Sequence, residues 1–295
     1  MTIPRTAAFL ALLAGSVAPA LRAQAGRPYP VVLVLPASVR FAGLGGAGVP
    51  VIGDAGSVFV NPAGLAAVPH LSVEGAYDRY AGTATQSMAA VAFRAGQFDL
   101  GAGVHHVTFG DTAATRDNLV YAGTGVYRFG LIALGGSVKY VSVTDSAHQT
   151  SSAVTGDLGT TIAFFDILAL AVSVQNIGQH VLANGGLDLP TTTHAGVTFN
   201  FVDPQGTFRL RGVLESVWSE RESRRTVIGA EAGVSLGGMT LTARAGFGAQ
   251  PAGSGASDQS FGASIGLRRI KLDWAYQRRT VLGSDVERIG FRWTR

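Results

Sequence analysis

The stretch Lys271-Leu-Asp-Trp-Ala-Tyr-Gln277 decides the fold. Leu272, Trp274 and Tyr276 fall on one side of an extended chain and Lys271, Asp273 and Gln277 on the other, the period-two pattern of a half-buried strand. The pattern resumes in Glu287 to Trp293, where Ile289, Phe291 and Trp293 oppose Arg288 and Arg292. Upstream, Phe208, Leu210 and Leu214 oppose Arg209, Arg211 and Glu215, and Leu168, Leu170, Val172 and Val174 oppose Ala169, Ala171, Ser173 and Gln175. One face is apolar throughout; the other is small or polar.

Between these segments, short and long connections take turns. The short ones are Ala95-Gly96, Gly130, Phe165-Asp166, Asp203-Pro204-Gln205-Gly206, Gly237-Gly238 and the vicinity of Arg269. The longer, polar ones are residues 110–118, 144–152, 178–190, 219–225, 248–258 and 279–285. This rhythm predicts an all-β fold, a transmembrane antiparallel β-barrel of about fourteen strands over residues 70–295, with tight periplasmic turns and longer external loops. A sandwich or propeller shares the alternation and the glycine content. In water, however, such a sheet turns its polar face outward, whereas the loop rhythm and an export signal here place the polar face inward.

The export signal is the first 25 residues. Arg5 supplies a positive start, Ala7 to Val17 an apolar run too short to span a bilayer, and Ala23-Gln24-Ala25 a small-x-small cleavage site. Residues 1–25 are therefore expected to be a signal peptide, removed after Ala25. Removing Arg5 and Arg22 lowers the formal charge from +4 by two, a balance too weak to point to nucleic acid. The chain of 295 residues has no cysteine, 40 glycines, 14% charged residues and a mean hydropathy of +0.27. No apolar run after residue 25 approaches the ~20 residues of a spanning helix, so the positive hydropathy belongs to strands.

Gly43-Leu-Gly-Gly-Ala-Gly48 fits the dinucleotide-binding spacing G-x-G-x-x-G, and Glu74 follows in a strand-like segment. A nucleotide fold needs a helix after Gly48, yet Pro50, Gly53 and Gly56 follow instead. No cofactor is expected. Residues 26–69 read better as a plug inside the barrel. Gly43, Gly45, Gly46, Gly48, Gly53 and Gly56 can reach positive φ and pack closely against the wall. Pro50 and Pro62 set local turns, and Asp54 and Asn61 supply anchoring hydrogen bonds. Irregular backbone at membrane depth is permitted only where protein or a watery cavity surrounds it.

Catalytic patterns fail on inspection. Gly262-Ala-Ser-Ile-Gly266 matches the nucleophile elbow, but Phe261, Ala263, Ile265 and Leu267 carry the strand alternation straight through it, leaving Ser264 a small lumen residue. His105 and His106 point to opposite faces of a strand and cannot share a metal. Neither a catalytic nor a metal site is predicted. Inward charges of both signs, among them Glu74, Asp78, Asp99, Asp157, Glu215, Glu231, Arg244, Lys271 and Asp273, are expected to pair and fill the lumen. Arg209, Arg211, Arg288 and Arg292 form a candidate basic patch for a lumen ligand. Tyr77, Tyr121, Tyr127, Trp274 and Trp293 suit the interfacial girdle.

Phe41 to Leu65, with its glycine-rich start, Asp54 and the sequence Asn61-Pro62-Ala63-Gly64-Leu65, resembles the N-terminal segment of the outer-membrane long-chain fatty-acid transporter (FadL-like) superfamily. Val174-Gln-Asn-Ile-Gly178 and Leu272-Asp-Trp-Ala-Tyr276, with the closing Arg288-Ile-Gly-Phe-Arg-Trp293, are similar to the PorV/PorQ branch. The resemblance runs from about residue 41 to the end. It implies a fourteen-stranded outer-membrane barrel with both termini periplasmic, an internal plug ending at Asn61, Pro62 and Ala63, and no enzymatic activity. Two functions remain open: passage of small hydrophobic compounds across the outer membrane, or a secretion-accessory barrel that binds exported protein cargo. Its expected partners are membrane lipid, the barrel-assembly machinery, and either the hydrophobic compound or the cargo.

Overall fold

Alternating side chains, carried around a closed ring of strands, give this chain two different surfaces. The computed structural model describes residues 30–295 apart from 82–83, 111–112, 114, 185–186, 188, 203–205, 221–223 and 249–258. The expected signal peptide and the start of the expected plug segment, residues 26–29, lie outside the described residues.

Fourteen strands follow one another: β1 (Leu71–Tyr80), β2 (Ala84–Ala95), β3 (Phe98–Phe109), β4 (Thr115–Phe129), β5 (Ile132–Asp145), β6 (Thr150–Phe164) and β7 (Leu168–Asn184) make the first half. The second half is β8 (Thr192–Val202), β9 (Phe208–Ser219), β10 (Arg225–Leu236), β11 (Met239–Gly248), β12 (Gln259–Leu267), β13 (Ile270–Gln277) and β14 (Val286–Thr294). Each pairs antiparallel with its sequence neighbours, and β1 closes on β14 from Ser72↔Thr294 to Tyr80↔Val286. Closure gives every strand a neighbour on both sides, so the sheet has no edge strand.

The outward face is apolar. Leu158, Val138, Phe208, Leu272 and Ile289 all stand more than half exposed, while the alternate positions Asp157, Lys139, Glu215, Asp273 and Arg288 are buried in the lumen. Such an exterior is stable against lipid and not against water, which makes this a membrane-spanning barrel. No helix among the described residues is long and apolar enough to cross a membrane; the strands cross it.

Connections at one end are tight and need left-handed residues: Gly96, Gly130, Phe165 with Asp166, Gly237 with Gly238, and Arg268. The start of β1 and the end of β14 meet at this same end, where Leu71 and Arg295 exchange backbone hydrogen bonds. At the opposite end, four expected loops are shorter than the sequence suggests. Residues 110–118 reduce to 110–114, 144–152 to 146–149, 178–190 to 185–191 and 219–225 to 220–224, because β4, β5, β6, β7, β9 and β10 continue through polar residues expected to lie outside them. Polar side chains are tolerated there once the strand has left the hydrocarbon. The girdle expectation also needs correction. Tyr127 and Trp293 lie near the short-turn ends of β4 and β14, but Tyr121 and Trp274 sit halfway along β4 and β13.

Residues 30–69 lie inside the ring. They form a short helix α1 (Val39–Gly43) and single 3-10 turns at Val31–Leu33, Ala55–Phe59 and Pro62–Ala67. α1 touches β11, β12, β13 and β14, the Ala55–Phe59 turn touches β1 to β4, and the Pro62–Ala67 turn touches β3 to β6. Only a segment within the lumen can reach opposite walls. Its apolar residues make the core: Phe41, Leu44, Ala47 and Val51 pack with Val213 and Val227, while Val58, Ala63 and Leu65 join a larger cluster with Ala92 and Val126.

Candidate functional site

A segment with so little regular structure leaves its own backbone polar groups unpaired, and burial makes that costly. The barrel wall supplies the partners. Gln86 Nε2 donates to Pro36 O (2.8 Å), Thr198 Oγ1 to Pro50 O (2.8 Å), Gln175 Nε2 to Val60 O (2.5 Å) and Arg94 Nη2 to Ala66 O (2.8 Å). Wall carboxylates take the N–H groups. Glu215 Oε2 accepts from Gly48 and Val49 (both 3.0 Å), and Glu74 accepts from Gly56 N (2.8 Å) and from Ser38 Oγ (2.5 Å).

Glycines bring the two surfaces together. Gly246 on β11 faces the backbone of Leu44 and Gly45 with no room for a Cβ. On β5, a Cβ at Gly135 would stand 2.6 Å from Ala63 N and 2.7 Å from Pro62 C. Within Gly43–Gly48, only Gly45 (φ 77°) and Gly46 (φ 92°) use the left-handed region, as Gly53 (φ 95°) does later. Gly43, Gly48 and Gly56 do not. They serve close approach instead: Gly43 lies against Gly262 of the wall, and Gly48 against Phe41 and Val60. The one helix here precedes the glycines and ends at Gly43, the reverse of a nucleotide-binding turn.

Asn61 holds the far end of the segment. Its Oδ1 accepts from Ala63 N (3.1 Å), capping the following 3-10 turn, and its Nδ2 donates to Val49 O (2.8 Å) and Thr161 Oγ1 (3.2 Å) on β6. Pro62 opens that turn, where a missing N–H costs nothing.

At the centre is a closed ring of six alternating charges. Asp54 pairs with Arg40 (2.7 Å), Arg40 with Glu231 (2.8 Å) and Glu231 with Arg244 (2.6 Å). Arg244 then pairs with Asp273 (2.9 Å), Asp273 with Arg292 (2.7 Å), and Arg292 returns to Asp54 (2.9 Å). Two members belong to the inner segment and four to β10, β11, β13 and β14, so the ring latches the segment to the wall. Burial alone would raise the Asp54 carboxyl, but the guanidinium groups of Arg40 and Arg292 hold it well below the usual range. Burial works against the charge on Arg40 as well; Glu231 and Asp54 overcome it and push its pKa above the ordinary arginine value.

The arginines proposed as ligand contacts do not all meet. Arg209, Arg211 and Arg292 face one cavity of about 270 Å³ at the short-turn end. Arg288 is elsewhere, near the long-loop end, bound to Asp78, to Tyr80 Oη (2.9 Å) and to Pro36 O (3.4 Å). Its neighbour in sequence spacing is not its neighbour in the lumen, because register carries β14 along the whole barrel height. Arg40 escaped the sequence argument, although it is the only charged residue between Arg27 and Asp54. A lone arginine in so apolar a run was the available signal. Val174–Gly178 also has a structural role: Asn176 (φ 61°) lies at a register shift between β6 and β7, and its Oδ1 accepts from Lys139 Nζ (3.0 Å), which also pairs with Asp157 (2.9 Å).

Ser264 accepts from Arg244 Nη2 (3.0 Å) in the middle of β12. Among the described residues no cluster of His, Asp or Glu could hold a metal ion. A second cavity of about 110 Å³ opens at the long-loop end, lined in part by Leu35, Phe59, His105, Gln175 and His194. It shares no lining residue with the short-turn cavity; the inner segment fills the lumen between them.

These features define a plugged, membrane-spanning antiparallel barrel of fourteen strands. No family model and no curated protein sequence matches the chain. Solved structures do. The Ralstonia pickettii toluene transporter TbuX superposes with a TM-score of 0.58 at 12% identity over 91% of this chain and 98% of that one. The Pseudomonas putida toluene transporter TodX gives 0.61 at 12% identity over 86% and 96%, and a Pseudomonas aeruginosa FadL homologue gives 0.56 at 13% over 87% and 98%. At these identities the likeness is one of fold.

Proposed function

We propose that this protein is an outer-membrane barrel through which small hydrophobic compounds pass, with residues 30–69 as its plug. The observation that carries the reading is the architecture of the lumen. One continuous segment separates two cavities and is held by replaceable polar contacts with the wall, and the fold is shared with proteins described as toluene transporters. The segment meets the wall through hydrogen bonds and ion pairs as well as apolar packing, and the polar partners can be exchanged for water when it moves. The short-turn end, where β1 begins and β14 ends, is then periplasmic. The alternative, a barrel that binds exported cargo, draws on the Val174–Gly178 and Leu272–Tyr276 matches alone, and the fold neighbours favour transport.

The test is uptake of toluene and a panel of similar small hydrophobic compounds into liposomes holding the pure protein. Uptake above that of protein-free liposomes supports the proposal. A flat response across the whole panel, from protein that migrates as a folded barrel, rejects it.

A further inference from the structure

The short-turn cavity carries more positive charge than its surroundings neutralise. The four ring members at its wall, Arg40 and Arg292 against Asp54 and Glu231, are balanced two against two and contribute no net charge there. Arg209, Arg211 and Lys271 remain inside, with the exposed Arg269 at the rim. Arg209 Nε is shielded from solvent and has no hydrogen-bond partner among the described residues. Arg211 spends Nε on Asn200 Oδ1 (2.8 Å) and stands 3.7 Å from Glu231, a carboxylate already engaged by Arg40 and Arg244. Lys271 faces the same space and forms no hydrogen bond or ion pair among the described residues.

Arg209 on β9 and Lys271 on β13 border a common hollow, which Gly233 on β10, Thr242 on β11 and four members of the charge ring also line. A Cβ at Gly233 would stand 3.2 Å from Leu241 O and 3.3 Å from Thr242 Oγ1. Partly desolvated cations without a counter-charge are unfavourable, and one anion placed among them would relieve all three together. Guanidinium groups offer forked N–H donors that match two oxygens of a carboxylate or phosphate, and the ammonium adds a point charge. Ile52, Pro69 and Val202 complete the cavity with apolar surface.

We propose that Arg209, Arg211 and Lys271 form a binding site for one oxyanion, a carboxylate or phosphate group, at the short-turn mouth of the barrel. The site stands whether or not the barrel transports hydrophobic compounds. A free anion would occupy only its polar part, while an amphiphile would also cover Ile52 and Val202.

Isothermal titration of the folded protein in a non-ionic detergent, with inorganic phosphate and separately with hexanoate, tests this. Saturable binding of either probe is expected, weakened about tenfold by Arg209→Gln or by Lys271→Gln and unchanged by Arg278→Gln at the other end of the barrel. Tighter binding of hexanoate than phosphate would assign the site to an amphiphile headgroup, and the reverse order to a free anion. Arg209→Lys keeps the charge and should retain binding if the Gln variant proves unstable. On the wild-type protein itself, added sodium chloride should weaken the interaction. The proposal is overturned if neither probe saturates on the wild type, or if Arg209→Gln/Lys271→Gln binds both as the wild type does.

Discussion

Asp54→Asn should loosen the inner segment and leave the barrel standing. Asp54 is the only carboxylate that the segment contributes to the charge ring, and it bonds Arg40 at 2.7 Å and Arg292 at 2.9 Å with all three side chains 8% exposed or less. With charge centres about 4 Å apart, each pair is worth about 4 kcal/mol at an effective dielectric of about 20, before desolvation is subtracted. Removing one partner of a buried pair costs about 3–5 kcal/mol. The low end applies here, since Arg40 keeps Glu231 and Arg292 keeps Asp273. A loss of about 3 kcal/mol raises the undocked population about a hundredfold. Native-state hydrogen exchange reads that population directly. The amides of Gly46, Val60 and Gly64, which are bonded inside the segment, should exchange about a hundredfold faster in the variant, with the amides of β4 and β5 unchanged. Asp54→Asn combined with Arg292→Gln should be less than additive, because both act on one network. Acceleration of less than about threefold, or equal acceleration in the strands, would refute the latch.

Further outcomes follow from the same contacts. Gly135→Val should cost about 1–3 kcal/mol or more by driving side-chain atoms into Pro62 and Ala63, whereas Gly123→Ala, with nothing within 4 Å of the new Cβ, should stay within about 0.5 kcal/mol; heat-modifiable gel migration across a temperature series compares them. Asn61→Ala removes the cap on the last 3-10 turn and strands Val49 O, for a combined loss of about 2–4 kcal/mol, measured as reduced protection of residues 49–65 in hydrogen exchange. For pH, the folded Asp54 carboxyl lies below its ordinary value of 3.8, so its stabilisation is complete above that value and lost as pH falls from there toward the folded pKa. The part of the segment's protection that Asp54 supplies, read as the difference between the wild type and Asp54→Asn, should be level from neutral pH down to about 4 and decline only below it; a decline of that difference centred near neutrality would contradict the assignment.

Much of the barrel was legible in the sequence because a strand's side-chain period is two, whatever the rest of the molecule does. Lys271 to Gln277 and Glu287 to Trp293 each carry their inside and outside in local order, and the alternation of short and long connections gives strand number and direction. Asn61-Pro62 likewise announces a capped turn by residue type alone. What stayed hidden depends on which residues face one another across the lumen. Arg209, Arg211, Arg288 and Arg292 look alike as inward arginines, yet strand register sends Arg288 to Asp78 and Tyr80 at one end and leaves the other three around a cavity at the opposite end. Arg40 and Glu231 are 191 residues apart, and no local pattern relates them. The glycines show the same division: composition foretells close packing, but whether a glycine serves a left-handed turn, as Gly45 does, or a clearance against another strand, as Gly135 does, is fixed only by the neighbour that arrives there. Periodicity is a property of one strand, whereas the charge ring and the basic cavity are properties of closure, which brings distant strands within bonding distance.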